Sequence, residues 1–374
     1  MLTRERTEDT IVKQLDRLNK LETNLKDFLF VSDDSYVKNL LHLNWDEQSA
    51  KRLAAWDWPH GIGLFCLWKR YLLTLDDSML DYLTSWYDSR ISLGLPEKNV
   101  NTVAPLLTLV FLDEKRRKPE WEAIIKQWAL WIMNDMDRTP EGGLQHRHAE
   151  LCNSGDLWDD TLFMTCLFLA KAGKLFNEPS WVDEASYQAM LHLKYLVDRK
   201  TGLWFHAWNF DRRDNYAGAL WGRGNCWVTV FIPEFLEILQ SEGPIKRLLI
   251  EALGQQIKAL AGFQDESGLW HTLIDDPTSY LESSASAGFC AGMLKAIRKG
   301  YVPISYLPTA KKALNAILNE IDDNGILQHV SYGTNASLSL ESYKNVPIKP
   351  MQYGQGLAML AIIESQASKN EGIE

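Results

Sequence analysis

A short phrase recurs along this 374-residue chain, and it constrains the fold more than any other feature. Gly143-Leu144-Gln145-His146, Gly202-Leu203-Trp204-Phe205-His206, Gly268-Leu269-Trp270-His271 and Gly325-Ile326-Leu327-Gln328-His329 each follow a long amphipathic segment. Each precedes an apolar segment opened by Trp, Gly or Ser: Trp158-Asp159-Asp160, Trp221-Gly222-Arg223, Glu282-Ser283-Ser284 and Tyr353-Gly354. The period of about sixty residues is too long for one helix and suits a helical hairpin with a decorated loop. Four of the eight histidines lie on these phrases, so polar chemistry gathers on one rim.

Apolar residues recur at three- and four-residue spacing almost throughout, and alternating runs are rare. Helices are predicted near 9–30, 62–75, 77–90, 102–113, 119–135, 157–173, 180–198, 221–240, 245–263, 284–299, 306–320 and 355–366. Breakers such as Pro96, Pro140, Pro179, Pro244, Pro277, Pro303 and Pro350 fall between them. Twelve helices pair as six hairpins. Six helix openings share a passage from an aromatic or polar loop into small residues, at Trp58, Asn101–Pro105, Asp156–Asp160, Trp221, Glu282 and Tyr353. An inner ring of six helices inside six outer ones would set all six openings around one mouth. The predicted fold is therefore an all-α (α/α)6 barrel, with an irregular α-solenoid as the alternative. No linker composition breaks the chain, so a single domain over residues 1–374 is expected, with 1–50 an N-terminal helical segment and 368–374 a disordered tail.

The formal charge of −10 without a basic stripe argues against nucleic acid. The chain starts with charged residues and has no apolar run of ~18 residues, so neither a signal peptide nor a membrane span is expected. Five cysteines (Cys66, Cys152, Cys166, Cys226, Cys290) without CxxC spacing read as reduced thiols of a cytoplasmic protein. Fifteen tryptophans exceed ordinary packing needs, and Trp faces suit sugar rings.

The sharpest chemical feature is Asp156-Leu157-Trp158-Asp159-Asp160. Asp156 fits an N-cap, with Asp159 in the capping-box position. Asp160 then lies on the helix face continued by Phe163, Met164 and Leu167. An acid among apolar neighbours has its pKa raised, which suits general acid work. The scattered histidines lack metal-ligand spacing, and no HExxH, EF-hand, P-loop or Rossmann phrase is present.

Taken in order, His146-Arg147, Trp158-x-Asp160, Thr201-Gly202-Leu203-Trp204-Phe205-His206-Ala207-Trp208 and Trp221-x-Arg223-x-x-x-Trp227 resemble glycoside hydrolase family 105, the unsaturated rhamnogalacturonyl hydrolases. The resemblance continues through Gly268-Leu269-Trp270, Leu281-Glu282-Ser283-Ser284 and Gly354-Gln355-Gly356, covering about residues 56 to 366. It implies an (α/α)6 barrel and a reaction needing neither metal nor cofactor. The implied substrate is an acidic oligosaccharide ending in the 4,5-unsaturated uronic acid that polysaccharide lyases leave, such as a pectic fragment. Water is added across the C4=C5 vinyl ether, and the hemiketal then opens and expels the aglycon. The Asp of the W-x-D pattern falls on Asp160, as acid toward C4 and base toward water. Many members carry a second Asp where this chain has Asn101, which still hydrogen-bonds a sugar but cannot share a proton.

The same resemblance gives His146 and His206 as residues lining the sugar site. His271 and His329 read instead as loop or helix-end partners. Arg223, in the first turn of an inner helix, is placed to grip a uronate carboxylate with its fork, and Arg147 is a second candidate. Trp58, Trp158 and Trp221 are candidate stacking faces, with Trp227 joined to them by the motif. Other readings stay open: an unsaturated glucuronyl hydrolase, an inverting glucanase or epimerase on the same barrel, or a non-catalytic carbohydrate-binding toroid. A glucanase needs a second in-line carboxylate, and only one stands out at the mouth. Oligomeric state is not legible in the sequence.

Overall fold

The computed structural model describes residues 2–30, 34–150 and 153–373, and side chains from Gln14 onward. Cys152 lies outside the described residues; Cys66, Cys166, Cys226 and Cys290 are buried free thiols.

The N-terminal segment forms α1 (Leu2–Phe28), α2 (Asp34–His42) and α3 (Glu47–Ala54). Then come α4 (Trp58–Thr74), α5 (Asp77–Ser92), α6 (Ala104–Arg116), α7 (Pro119–Asn134), α8 (Leu167–Phe176) and α9 (Pro179–Leu196). The second half holds α10 (Gly222–Leu239), α11 (Pro244–Phe263), α12 (Ser283–Arg298), α13 (Leu307–Glu320), α14 (Leu340–Lys344) and α15 (Gln352–Asn370). The twelve predicted helices are all present. The ring closes as expected: α4 packs on α6, α6 on α8, α8 on α10, α10 on α12, α12 on α15, and α15 back on α4. These six are buried almost all round, as inner helices must be. The outer α5, α7, α9, α11 and α13 carry apolar stripes, and α1 covers α15. One apolar core runs from Leu18 to Ile363.

The recurring glycine has a physical reason. Gly142, Gly202, Gly268 and Gly325 have φ of +78°, +83°, +98° and +79°, the left-handed region where glycine carries no Cβ penalty. A Cβ at Gly268 would also lie 2.7 Å from the carbonyl oxygen of Lys312 on α13. The turn therefore presses against the next outer helix, and the chain reverses into a short extended stretch. That stretch bridges back at Arg138–Leu144, Val197–Trp204 and Ile321–Leu327. In the first repeat the turn glycine is Gly142, one residue before the expected Gly143.

One expectation gains detail and one needs correction. The extended stretches form true antiparallel pairs, β1 (Asp156–Trp158) with β2 (Ala207–Asn209), and β3 (Trp270–His271) with β4 (Leu281–Glu282). At only two or three residues each, they are too short for an alternating pattern to show. The tail is not disordered from Ser368: α15 continues to Asn370, Ser368 is buried, and Arg298 pairs with Glu371 at 2.8 Å.

Candidate functional site

The mouth of the inner ring opens into a cavity of about 480 Å³, within the size range of small-molecule sites. Among the expected residues, Trp58, Asn101, His146, Trp158, Asp160, Trp221 and Arg223 line it. His206 lies directly behind Asp160.

The β1/β2 pair builds the catalytic end. Register Trp158↔Ala207 sets Trp158 beside the His206 segment, and the Asp159 amide donates to the His206 carbonyl at 3.0 Å. Asp156 is therefore a strand residue. Its carboxylate accepts from Asn209 Nδ2 and the Tyr216 hydroxyl, each at 2.7 Å, so it does not cap the helix as its spacing suggested. The helical path starts at Asp160, not at 157, and runs through a π-helical turn at Leu162–Cys166 before α8.

Asp160 faces the cavity with 9% exposure, its Oδ2 3.4 Å from His206 Nε2. His206 Nδ1 in turn lies 2.8 Å from the Tyr343 hydroxyl, which fixes the ring. Trp221 leans over the His206 ring, with centroids 4.3 Å apart. His146 stacks flat on Trp158 at 4.3 Å and 8°, and its Nδ1 lies 2.9 Å from Thr161 Oγ1. Burial pushes the His146 pKa down to about 3, so the ring is neutral near pH 7.

The two adjacent aspartates divide their protonation. Asp159 is fully buried, its carboxylate oxygens lack hydrogen-bond partners among the described residues, and it is pressed against Gly224, where any Cβ would fall 2.3 Å from Oδ2. Burial and then the charge of Asp160 push its pKa well up. At Asp160 burial also raises the pKa, but the hydrogen bond and charge of His206, with the charge of Arg223, outweigh it and bring it below the ordinary value. The expected elevation thus falls on Asp159 instead. Asp159, Asp160 and His206 each bring one donor atom within 4.8 Å of the others, a convergence that their sequence spacing hides.

Three expectations about binding residues change. Arg223 lines the cavity, yet its two terminal nitrogens are occupied by the loop after β4 and α13. Nη1 donates to the Ser331 carbonyl at 2.9 Å and to its hydroxyl, and Nη2 to the Tyr332 carbonyl at 2.7 Å and Thr334 Oγ1 at 3.3 Å. Its flat face lies between Trp221 and Tyr353, 4.7 and 4.9 Å from their centroids. The fork therefore holds a loop of the rim, leaving its charge, not a free bidentate edge, to face the cavity. Arg147 points elsewhere, pairs with Asp137, and lines a separate cavity of about 310 Å³. Trp227 is 1% exposed and packs edge-on beneath Trp58 and tilted on Phe163, a core residue supporting the site. Trp58 itself stacks on Tyr353 at 4.5 Å. His271 bonds the Ser279 carbonyl at 2.5 Å, the loop role expected of it, and His329 meets Glu320 at the end of α13.

Several lining residues carried no sequence signal. Tyr36 and Asn39 come from α2, and Thr334 and Asn335 from the loop that Arg223 holds. His148 is the one that was findable: two residues after His146 in an extended stretch, it shares the same side. Asn335 hydrogen-bonds it, and burial lowers its pKa to about 4.

Comparison with known proteins agrees with this geometry. Residues 34–369 match the profile of Glycosyl Hydrolase Family 88. The chain is 32% identical over 318 residues to the unsaturated rhamnogalacturonyl hydrolase YesR of Bacillus subtilis, covering 84% of this chain and 91% of that protein. Two solved structures, each a possible member of the GH105 family, are 42% identical. The Klebsiella pneumoniae protein superposes with a TM-score of 0.89 over 96% of this chain and 94% of its own. The Salmonella enterica protein does so at 0.87 over 95% and 94%. The chain belongs to Glycosyl Hydrolase Family 88 and is a glycoside hydrolase.

Proposed function

We propose that the enzyme removes a 4,5-unsaturated uronic acid from the non-reducing end of short lyase-generated oligosaccharides, pectic fragments of the rhamnogalacturonan type foremost. The observation that carries this reading is the setting of Asp160, the one carboxylate among the described lining residues that lies beside His206 and is followed on its helix face by Met164. Ordinary glycoside hydrolysis needs two carboxyl groups flanking the bond. Here the neighbour, Asp159, is sealed away, and hydration of a vinyl ether can use one group twice.

Asp160 in its protonated form gives its proton to C4, and positive charge develops at C5 and the ring oxygen. The resulting carboxylate takes a proton from water as that oxygen bonds to C5, which restores the acid. The C5 hemiketal opens by breaking its bond to the ring oxygen. C1 is then a hemiacetal, which collapses to an aldehyde and releases the second sugar. At rest Asp160 is ionised, and the substrate drives the change: a uronate carboxylate entering an enclosed site opposes a second negative charge and raises the Asp160 pKa. Neutral His146 and His148 offer hydrogen bonds to sugar hydroxyls without adding charge. Buried reduced thiols suit a cytoplasmic enzyme acting on imported fragments.

The test is loss of the conjugated double-bond absorbance with unsaturated disaccharides from several lyases. Asp160→Asn should lower kcat by at least about 10³-fold with much smaller change in affinity, because the amide keeps shape and loses the proton. Retained turnover in that variant, with Asp159→Asn inactive, would reassign the acid to Asp159.

A further inference from the structure

The two ring nitrogens of His206 face different partners, and the partner away from the cavity decides which nitrogen keeps the proton. Nε2 lies 3.4 Å from Asp160 Oδ2, and Nδ1 lies 2.8 Å from the hydroxyl of Tyr343, a buried residue of α14. The Tyr343 oxygen also accepts from the Ser337 amide at 3.3 Å. A backbone amide can only donate, so the hydroxyl proton needs an acceptor elsewhere, and a buried tyrosine hydroxyl rarely goes without one. Among the described residues that acceptor is His206 Nδ1. Once Nδ1 accepts, a neutral ring carries its proton on Nε2, facing Asp160.

We infer that Tyr343 is a positioning residue: it holds neutral His206 in the tautomer whose Nε2–H points at Asp160 Oδ2. The inference rests on the proposed role of Asp160 as acid and base. In the reacting state Asp160 is protonated, and a donor already aimed at Oδ2 leaves Oδ1 to carry the proton. Oδ1 then gives that proton to C4 and takes one back from water. Nε2–H keeps its own proton throughout and steadies the carboxylate as it forms. The opposite tautomer would present a lone pair to Asp160, and the acid's proton would turn toward Nε2 instead of the sugar. Tyr343 is anchored well enough to make this choice. Its segment is an excursion closed at the base by the Ser331–Ile348 bridge and by the Tyr332 amide on the Pro347 carbonyl at 2.8 Å. The Ala217 amide donates to the Ser337 carbonyl at 3.1 Å, and Lys344 meets Asp276 at 2.5 Å, which ties the excursion to two neighbouring rim loops. The ring itself packs with Ala219, Trp221 and Leu273.

The experiment is nitrogen NMR of histidine-labelled enzyme on the alkaline side of the ring's titration, where protonated and unprotonated ring nitrogens of a neutral histidine resonate far apart. Loss of signals in His206→Gln assigns the residue. The wild-type enzyme should show the proton on Nε2. Tyr343→Phe keeps the ring packing and removes only the hydroxyl, so both His206 nitrogens should move toward the averaged shifts of a mixed tautomer. On an unsaturated disaccharide the same variant should lose at least about tenfold in kcat with KM within about threefold, because the lost contact acts in the chemical step. A merely structural Tyr343 would lower the melting temperature and leave the nitrogen shifts in place. A wild-type proton on Nδ1, or a Tyr343→Phe enzyme with unchanged shifts or unchanged kcat, overturns the inference while the proposed activity stands. A wild-type enzyme that turns over no unsaturated disaccharide overturns the proposed activity, and the nitrogen shifts then decide the tautomer by themselves.

Discussion

Asp159 and Asp160 are chemically identical neighbours, and only their surroundings separate them. One lies against Gly224 and has its pKa pushed up; the other faces the cavity beside His206 and has its pKa drawn down. Helix phase was enough to pick Asp160 from the sequence, because Met164 shares its face and also lines the cavity. The direction of its pKa was not legible, since His206 arrives from 46 residues away through a strand pairing. Asp57 offers a cleaner measurement at this scale. It caps α4 by accepting from the Trp58 amide at 2.8 Å, and burial raises its pKa from 3.8 to about 6. Below the unfolded value both states hold the proton and nothing is lost. Between 3.8 and about 6 the unfolded chain ionises first, so stability falls as pH rises, and above about 6 the full penalty applies. Asparagine caps equally well and never ionises. Asp57→Asn should therefore stabilise the protein by up to about 3 kcal/mol at pH 7.5, with the gain fading toward pH 4. Urea unfolding at the two pH values checks this; a pH-independent difference would mean that Asp57 titrates normally when folded.

At the level of elements, the helices were legible because their apolar stripes repeat locally, while the strands were not. Asp156 and Asn209 need each other to be β-structure, and nothing within either short segment announces the pairing. The loop at Ser331–Asn335 is a similar case. It has no pattern of its own and takes its shape from Arg223, 108 residues earlier in the chain, which donates to Ser331, Tyr332 and Thr334. The arginine was visible in the motif; its partners were not. Arg223→Lys keeps the charge but cannot reproduce a planar fork with several donors. Losing one or two charged hydrogen bonds, each worth about 1.5–3 kcal/mol, should loosen the loop and raise KM at least tenfold, with a smaller effect on kcat. Faster hydrogen exchange at Ser331–Asn335 in the unliganded variant would tie the KM change to the loop. A raised KM with unchanged exchange would instead make Arg223 a direct substrate contact.

On the scale of the whole molecule, the repeat period predicted the ring but not what lies at its two ends. The N-terminal helices had no visible role in sequence, yet α2 and α3 supply one wall of the mouth through Tyr36, Asn39 and Ala54. The opposite end is closed by charge. Glu234 on α10 bonds Lys69 of α4 and Lys295 of α12, each at 2.6 Å, and Lys295 also meets Glu237 at 2.6 Å. These groups sit at the C-terminal parts of three inner helices, where basic residues also complement the helix dipole. A buried pair of this kind adds little net stability over apolar packing, but breaking it leaves charge stranded. Glu234→Gln keeps the shape and takes the 2.6 Å partner from Lys69, which is 7% exposed and is left with Glu237 at 3.8 Å, while Lys295 keeps Glu237 at 2.6 Å. It should cost about 3–5 kcal/mol in unfolding free energy. Eleven residues of α10 separate Glu234 from Arg223, about 16 Å along the axis, so the mouth lies beyond direct reach. Turnover per folded molecule, measured well below the melting temperature, should stay within about twofold of wild type, since distant sites without shared partners act independently. Thermal unfolding together with kinetics on the same preparation decides it. A large loss of kcat at unchanged stability would show that the floor of the barrel communicates with Asp160 through the inner helices.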